Sequence, residues 1–166
     1  MPEDLVVTDV HAHAHVAGAD AVLAKEICIA ANEGIAELCA AAAGRLTGVG
    51  LVPLQHPDLA VAALEHAVLN CGLKGIEISS FARSADGVID LSHPGLEALW
   101  TRAAELDAVV FLHPLGCTVE GRLDRWYLSN VIGQPLEHTI ALSHLMFSGV
   151  LDRLSSPGAG SGPRGN

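Results

Sequence analysis

The stretch RLTGVGLVPLQHPDLAVAALEHAVLNCGLKGIEIS, residues 45–79, contains two β-strand patterns separated by a helical one. Residues 45–54 and 74–79 are short and rich in Val, Ile and Leu, which predicts strands. Between them Pro57 suits the first turn of a helix, and Gly72 is a stop signal. One face of this helix is apolar and consists of Leu59 or Ala60 with Ala63, Leu64, Ala67 and Val68. A strand–helix–strand unit predicts two parallel strands joined by a crossover helix.

The same alternation of patterns continues on both sides of this unit. Upstream, residues 5–10 predict a strand and residues 21–43 predict an Ala-rich helix that ends at Gly44. Downstream, we expect a polar loop at 80–92, a helix opening at Pro94, a strand at 108–113 and a helix within 131–154. The last helix is apolar on almost all sides, so it should be buried or lie at a subunit contact. The pattern predicts an α/β fold with parallel strands, either an open sheet or a closed barrel.

The composition excludes several classes of protein. The chain has 166 residues and a net charge of −10, which argues against nucleic-acid binding, and no GxGxxG or P-loop sequence indicates a nucleotide. No apolar run reaches the roughly 18 to 20 residues that span a bilayer. The N-terminus lacks a signal-peptide pattern, and the four Cys form no CxxC and have no evident His partner. We therefore expect a cytoplasmic protein with reduced thiols, one domain over residues 1–154 and a disordered Gly/Ser/Pro-rich tail at 155–166.

The first chemical signal is TDVHAHAH at residues 8–15, where the first strand should end. Side chains alternate along a strand, so Asp9, His11 and His13 point the same way. Two imidazoles at this spacing can bind one metal ion at roughly 2.0 to 2.1 Å. The alternative for the two His is a chance pair on the surface. Asp9 either orients a His ligand or is a charge at the strand end that water solvates. His15 extends the alternation but should lie past the end of the strand.

His113, in VVFLHPLG, ends an apolar strand and precedes a Pro that stops it. The carboxyl ends of parallel strands are where ligands collect, so this side chain should reach the same crevice as His11 and His13. Taken alone, His113 is better explained as a core residue bonded to the backbone. Together, the three imidazoles predict a site for zinc or another divalent ion. Glu77 lies mid-strand, and its side chain points to the opposite face from the side chains of its Ile neighbours. It is either a metal ligand or proton shuttle, or a charge paired with a nearby Lys or Arg.

Five segments carry a family resemblance: DVHAHAH, RLTGVGLVPLQHPDLAVAALEHAV, GLKGIEI, FLHPLG and WYLSNVIGQPLEHTIALSHLMFSGVLDR. Together they resemble the amidohydrolase-related superfamily and, within it, the aminocarboxymuconate-semialdehyde decarboxylase branch, which includes resorcylate-type decarboxylases. The resemblance covers nearly all of residues 5–154. It implies a (β/α)8 barrel, of which this chain is a part, with one divalent metal, usually zinc, at the carboxyl ends of the strands.

The resemblance also implies roles for individual residues. His11 and His13 match the ligand pair of the family's first strand, and His113 matches its mid-barrel ligand. The implied reaction is non-oxidative loss of CO2 from an unsaturated or aromatic carboxylic acid, although relatives hydrolyse or hydrate. The metal would orient the substrate or lower the pKa of bound water, and a general acid would protonate the carbon that loses CO2. Glu77, Arg83 and Arg122 are candidates for binding the substrate carboxylate.

The sequence departs from the family pattern in three places. The family's later strands, with an acid/base His and an Asp ligand, have no counterpart here, so the catalytic residues stay unassigned. The segment between His15 and Ala21 is short, and Leu115 stands where the branch often has Trp. A small parallel barrel needs about eight strands. We therefore expect a truncated chain or a fragment completed by a second copy in a homo-oligomer. The rival hypotheses are an inactive metal-binding fragment of the family and an open-sheet binder of small molecules without metal.

Overall fold

The computed structural model describes residues 19–85, 87–114, 116–119 and 121–154. The predicted first strand and the predicted tail lie outside these residues. In chain order the elements are α1 Ala21–Ala41, β1 Gly50–Leu51, α2 Pro57–Glu65 with a π-helical turn at His66–Asn70, β2 Gly75–Ile78, β3 Phe81–Ser84, β4 Gly87–Asp90, a 3-10 turn at Pro94–Leu96, α3 Glu97–Glu105, β5 Val109–Leu112, a π-helical turn at Ser129–Gly133, α4 Gln134–Phe147 and α5 Val150–Leu154.

A parallel three-stranded sheet confirms the predicted strand–helix–strand unit. The strand order is β1–β2–β5 and both pairings are parallel. Gly50 lies opposite Ile76, and Ile76 lies opposite Val110. The first of these strands is only two residues long, shorter than the ten-residue pattern at 45–54 suggested. All three strands point in one direction, so their carboxyl ends meet at one edge of the sheet.

The main hydrophobic core lies between β2 and the two helices α2 and α3. Helix α2 and its π turn bury Ala60, Leu64 and Ala67, which belong to the face predicted for this helix. Helix α3 and the turn before it bury Leu96, Leu99, Trp100 and Ala103. Ile76 and Ile78 of β2 complete this core. The indole of Trp100 also donates a hydrogen bond to the carbonyl of Leu91 at 3.1 Å, which ties α3 to the segment before it.

Residues 80–92 form an antiparallel hairpin rather than the predicted polar loop. Strands β3 and β4 pair from Phe81 opposite Asp90 to Ser84 opposite Gly87. Ala82 and Ile89 lie opposite each other and are both buried. The mixed composition of this segment did not indicate that buried and exposed residues would alternate along two strands. The Asp-Gly pair at 86–87 of the sequence is a common hairpin-turn signal.

Strand β5 is apolar in sequence but is partly exposed in the structure. It is an edge strand of the described sheet, with Val109 54% and Val110 38% exposed. An apolar run has the same pattern in a central strand and in an edge strand, because burial depends on what packs beside it.

The last predicted helix is two helices. Gly149, with φ +73°, separates α4 from α5, and α4 keeps large apolar side chains in contact with solvent rather than buried. Within the described residues, each helix is either too short or too polar to cross a lipid bilayer.

Candidate metal centre

His113 lies at the carboxyl end of the sheet, as predicted. It directly follows β5, and its backbone N–H donates to the carbonyl of Ile78 at 2.8 Å. This bond places His113 beside the end of β2 as well as at the end of β5. The imidazole is half-buried, and the following residue, Pro114, is buried and stops the strand. The backbone therefore holds this imidazole at the edge where parallel α/β folds bind their ligands.

Glu77 lies on the side of the sheet that carries His113. It is opposite Phe111 in the β2–β5 register, and the Phe111 and His113 rings follow each other on that side with centroids 6.4 Å apart. The predicted alternation along β2 is confirmed, since Ile76 and Ile78 are buried in the helix-covered core while Glu77 is half-buried. In a closed barrel this side of the sheet is the interior.

His11 and His13 lie outside the described residues, and so do Asp9 and His15. Among the residues that the structure does describe, no three His, Cys, Asp or Glu side chains form a group suited to a metal ion. The convergence of His11, His13 and His113 on one ion therefore remains a prediction. Of the three predicted ligands, His113 is the one that the structure describes, and it lies at a strand end.

A groove opens next to His113, between the end of β5 and the start of α4. It is lined by Phe111, Leu112, His113, Pro114, Asn130, Gln134, Pro135 and His138. The ring nitrogens of His138 lie 3.3 Å from the carbonyl oxygen of Leu112 and 3.2 Å from that of Gln134. His138 thus connects α4 to the residue that precedes His113. On a predicted helix, His138 is expected to be either hydrogen-bonded or solvated, but a helical position alone does not reveal a contact 26 residues away.

The buried carboxylate of Glu137 was also missed. Its side chain is 2% exposed and accepts hydrogen bonds from the backbone N–H and the hydroxyl of Thr118, both at 2.5 Å. These bonds join α4 to the segment that follows His113. A Glu in an apolar helical segment is the available sequence signal, since buried acidic residues are rare unless they have partners.

The two arginine candidates are exposed side chains outside the three-stranded parallel sheet. Arg83 is exposed on the β3–β4 hairpin, with its guanidinium 5.4 Å from the centroid of the Phe81 ring. Arg122 is exposed in the segment that leads to α4. Ser80, just past β2, is 3% exposed, and its hydroxyl has no hydrogen-bond partner among the described residues.

Two polar clusters lie elsewhere. His144 Nδ1 is 2.7 Å from the hydroxyl of Ser92, and its Nε2 is 3.4 Å from Asp90. This cluster joins α4 to the end of the hairpin. A histidine on a predicted helix is expected to be either hydrogen-bonded or solvated, and the partners of His144 are distant in the chain.

The second cluster corrects the expectation that no Cys has a His partner. The sulfur of Cys71 lies 3.7 Å from Nδ1 of His66. Burial, with a smaller contribution from the charge of Glu33, raises the pKa of the Cys71 thiol. The thiol therefore stays protonated at neutral pH, which argues against a nucleophile.

Parallel strands that alternate with helices, and a histidine at their common carboxyl edge, define part of an α/β barrel with a candidate metal centre. The family model described as amidohydrolase matches residues 1–156, so the chain belongs to the amidohydrolase family. Its fold is a partial (β/α)8 barrel, as the sequence predicted.

Two curated relatives are decarboxylases. The chain is 29% identical over 123 residues to the 2-amino-3-carboxymuconate-6-semialdehyde decarboxylase of Dictyostelium discoideum, covering 74% of this chain and 33% of that protein. It is 28% identical over 155 residues to the gamma-resorcylate decarboxylase of Rhizobium radiobacter, covering 90% of this chain and 47% of that protein. The chain thus spans between a third and a half of these relatives.

A solved structure shows the same partial overlap. The dihydroxybenzoic acid decarboxylase of Polaromonas sp., which contains manganese and the inhibitor 2-nitroresorcinol, superposes with a TM-score of 0.76 at 26% identity. The match covers 83% of this chain and 43% of that one.

Proposed function

We propose that this chain is the metal-binding part of a metal-dependent amidohydrolase-family decarboxylase that acts on an aromatic or unsaturated carboxylic acid. The observation that carries the proposal is the position of His113 at the carboxyl end of β5, hydrogen-bonded through its backbone to the end of β2. The relatives support the reaction type, since the proteins from Rhizobium radiobacter and Dictyostelium discoideum are both named as decarboxylases. Hydrolysis of a related acid is the alternative reaction.

His11, His13 and His113 would hold one divalent ion. Three neutral imidazoles suit zinc, which we propose as the resident metal, while the Polaromonas relative holds manganese. When bound, such an ion lowers the pKa of a coordinated water and binds oxygen atoms of a substrate. We also propose a cytoplasmic location, because Cys28, Cys39, Cys71 and Cys117 are all unpaired and a reducing compartment keeps them so.

The chain's own residues would position the substrate and move the proton. The groove beside His113 would offer Phe111, Pro114 and Pro135 to a flat aromatic ring. Loss of CO2 leaves electrons on carbon that a proton must neutralise. Glu77, on the same side of the sheet as His113, is the candidate proton carrier, and Arg83 and Arg122 are the candidates for the substrate carboxylate. The net charge of −10 suits a small-molecule substrate better than a nucleic acid.

The metal content of matched histidine variants tests the site. We expect the chain to bind zinc or manganese stoichiometrically, and His13→Ala and His113→Ala to lose that metal because each removes one of three ligands. His93→Ala is the control, because His93 is exposed and its Nδ1 accepts a hydrogen bond from the Gly95 N–H at 3.1 Å. Elemental analysis after dialysis measures the result. Retention of metal by His113→Ala would contradict the site.

Turnover separates an enzyme from an inactive metal-binding fragment. Metal-loaded chain is mixed with 2,6-dihydroxybenzoate and related hydroxybenzoates, and CO2 release and loss of ultraviolet absorbance are followed. Metal-dependent CO2 release that disappears in His113→Ala supports the decarboxylase. Stoichiometric metal without turnover on any of these acids favours the inactive fragment instead.

A further inference from the structure

Helix α4 contacts the chain on both sides of His113. His138 Nε2 lies 3.3 Å from the carbonyl oxygen of Leu112, the residue before His113. On the other side, Oε1 of Glu137 accepts hydrogen bonds from the N–H and the hydroxyl of Thr118, in the segment that follows His113. We call these two connections the α4 anchors. They start from adjacent residues of one helix, so the chain that enters and leaves His113 is tied to a single element.

A close-packed contact accompanies the second anchor. Gly133, just before α4, is buried, and a Cβ built on it would lie 2.7 Å from the sulfur of Cys117 and 3.0 Å from its Cβ. The residue next to Thr118 therefore packs directly against the start of α4. The hydrogen bonds from Thr118 to Glu137 thus belong to a wider contact between α4 and the segment that follows His113.

Stability alone is a weak explanation for the buried carboxylate of Glu137. Its side chain is 2% exposed, and burial of such a group costs free energy that hydrogen bonds must offset. Replacing both partners of a buried hydrogen bond by apolar groups of the same shape can be nearly neutral for stability. An apolar side chain could not accept two hydrogen bonds from Thr118 and so fix where the chain lies after His113. The buried carboxylate therefore favours a positioning role.

We propose that Glu137 and His138 are positioning residues, which fix the direction of the His113 imidazole through the backbone on either side of it. The N–H of His113 is bonded to Ile78 on β2, and the α4 anchors hold the chain before and after that bond. A metal ion demands such precision, because it binds imidazole nitrogen at roughly 2.0 to 2.1 Å and its ligands must be held to within about 0.5 Å. The role in metal binding rests on the proposed function, whereas the fixed direction of the ring does not.

The hydroxyl of Thr118 allows a mild test, because Thr118 is exposed and its replacement should leave the core intact. Thr118→Val removes one of the two bonds to Glu137 and should weaken the binding of zinc or manganese by about tenfold, as expected for residues that orient metal ligands. Thr118→Ser keeps the hydroxyl and should restore the wild-type affinity. Thr139→Val on α4 is the matched control, since Thr139 is also exposed and its hydroxyl donates to the carbonyl of Pro135 at 2.9 Å.

A second readout needs no metal. In nuclear magnetic resonance spectra of the metal-free chain, the Cδ2–Hδ2 signal of the His113 ring is identified as the one missing from His113→Ala. We expect the order parameter of this group to fall in Thr118→Val and in His138→Leu, because each variant removes part of one anchor and lets the ring move more on the picosecond to nanosecond timescale. It should keep its wild-type value in Thr139→Val.

The outcomes separate this proposal from the proposed function. Unchanged ring motion and metal affinity in Thr118→Val and His138→Leu would overturn the positioning role, even if His113→Ala loses its metal. Equal losses in Thr139→Val would also overturn it, because they would reflect a general loss of stability. If His113→Ala retains metal, the metal site is wrong, and the ring motion in the metal-free variants still decides whether α4 positions His113. Urea unfolding verifies that each variant is folded.

Discussion

Replacement of Asn32 by alanine should be among the most destabilising single changes outside the apolar core. Asn32 is completely buried on α1, and its amide bonds both backbone groups of Leu51 in β1. The Leu51 N–H donates to Oδ1 at 2.7 Å, and Nδ2 donates to the Leu51 carbonyl at 3.2 Å. The packing is tight, since a Cβ built on Gly50 would lie 2.7 Å from Oδ1 of Asn32. Asn32 therefore holds the first helix against the first described strand.

The magnitude follows from those two bonds. Asn32→Ala leaves a buried donor and a buried acceptor without partners, and each such group costs about 1–3 kcal/mol. The space left by the amide adds a smaller packing loss. We expect the free energy of unfolding to fall by about 3 kcal/mol, which is a large part of the 5–15 kcal/mol typical of a folded domain. Asn32→Asp should also destabilise, because it keeps the acceptor but loses the donor and buries a charge.

Urea unfolding followed by circular dichroism measures the loss. Asn70→Ala is the matched control, since Asn70 is exposed at the end of the π-helical turn after α2. The midpoint of Asn32→Ala should shift to lower urea with an unchanged slope, while the control stays within about 0.5 kcal/mol of wild type. Equal midpoints for the two alanine variants would show that the Asn32 bonds contribute nothing and would refute the reasoning.

Two further predictions concern backbone packing and a buried thiol. Gly75→Ala should destabilise the fold by about 2 kcal/mol or more, because its Cβ would lie 1.9 Å from the carbonyl oxygen of Val109. Gly34→Ala should stabilise the fold by about 0.5–1 kcal/mol, because Gly34 lies in mid-helix with open space around it. Thermal melts of both variants measure the contrast. Burial raises the pKa of the Cys28 thiol from 9.0 to about 11. The protonated thiol is then favoured in the folded state, so its contribution is complete below pH 9 and is lost between pH 9 and 11. The wild-type chain should lose stability over that window by about 2–3 kcal/mol more than Cys28→Ala, and parallel losses in the two proteins would contradict this.

Much of the fold could be predicted from local pattern. The helix at 21–43 corresponds to α1, whose N-cap Asp20 accepts hydrogen bonds from the N–H groups of Val22 and Leu23 at 3.0 Å. The parallel pairing of β1 with β2 follows from the helix between them. The position of His113 at a strand end could be predicted because an apolar run and a following Pro mark that end. Family membership followed from several such segments taken together.

Features that depend on distant parts of the chain could not be predicted in this way. Asn32 and Glu137 are polar residues in helices, and nothing nearby in the sequence indicates that Leu51 and Thr118 would be their partners. For the same reason, the apolar pattern of β5 did not reveal that its valines would remain exposed at the edge of the sheet. Periodicity records which side of an element is apolar, because that depends on geometry within one helix or strand. Burial and hydrogen-bond partners depend on which segments meet in space, and those contacts exist only once the chain has folded.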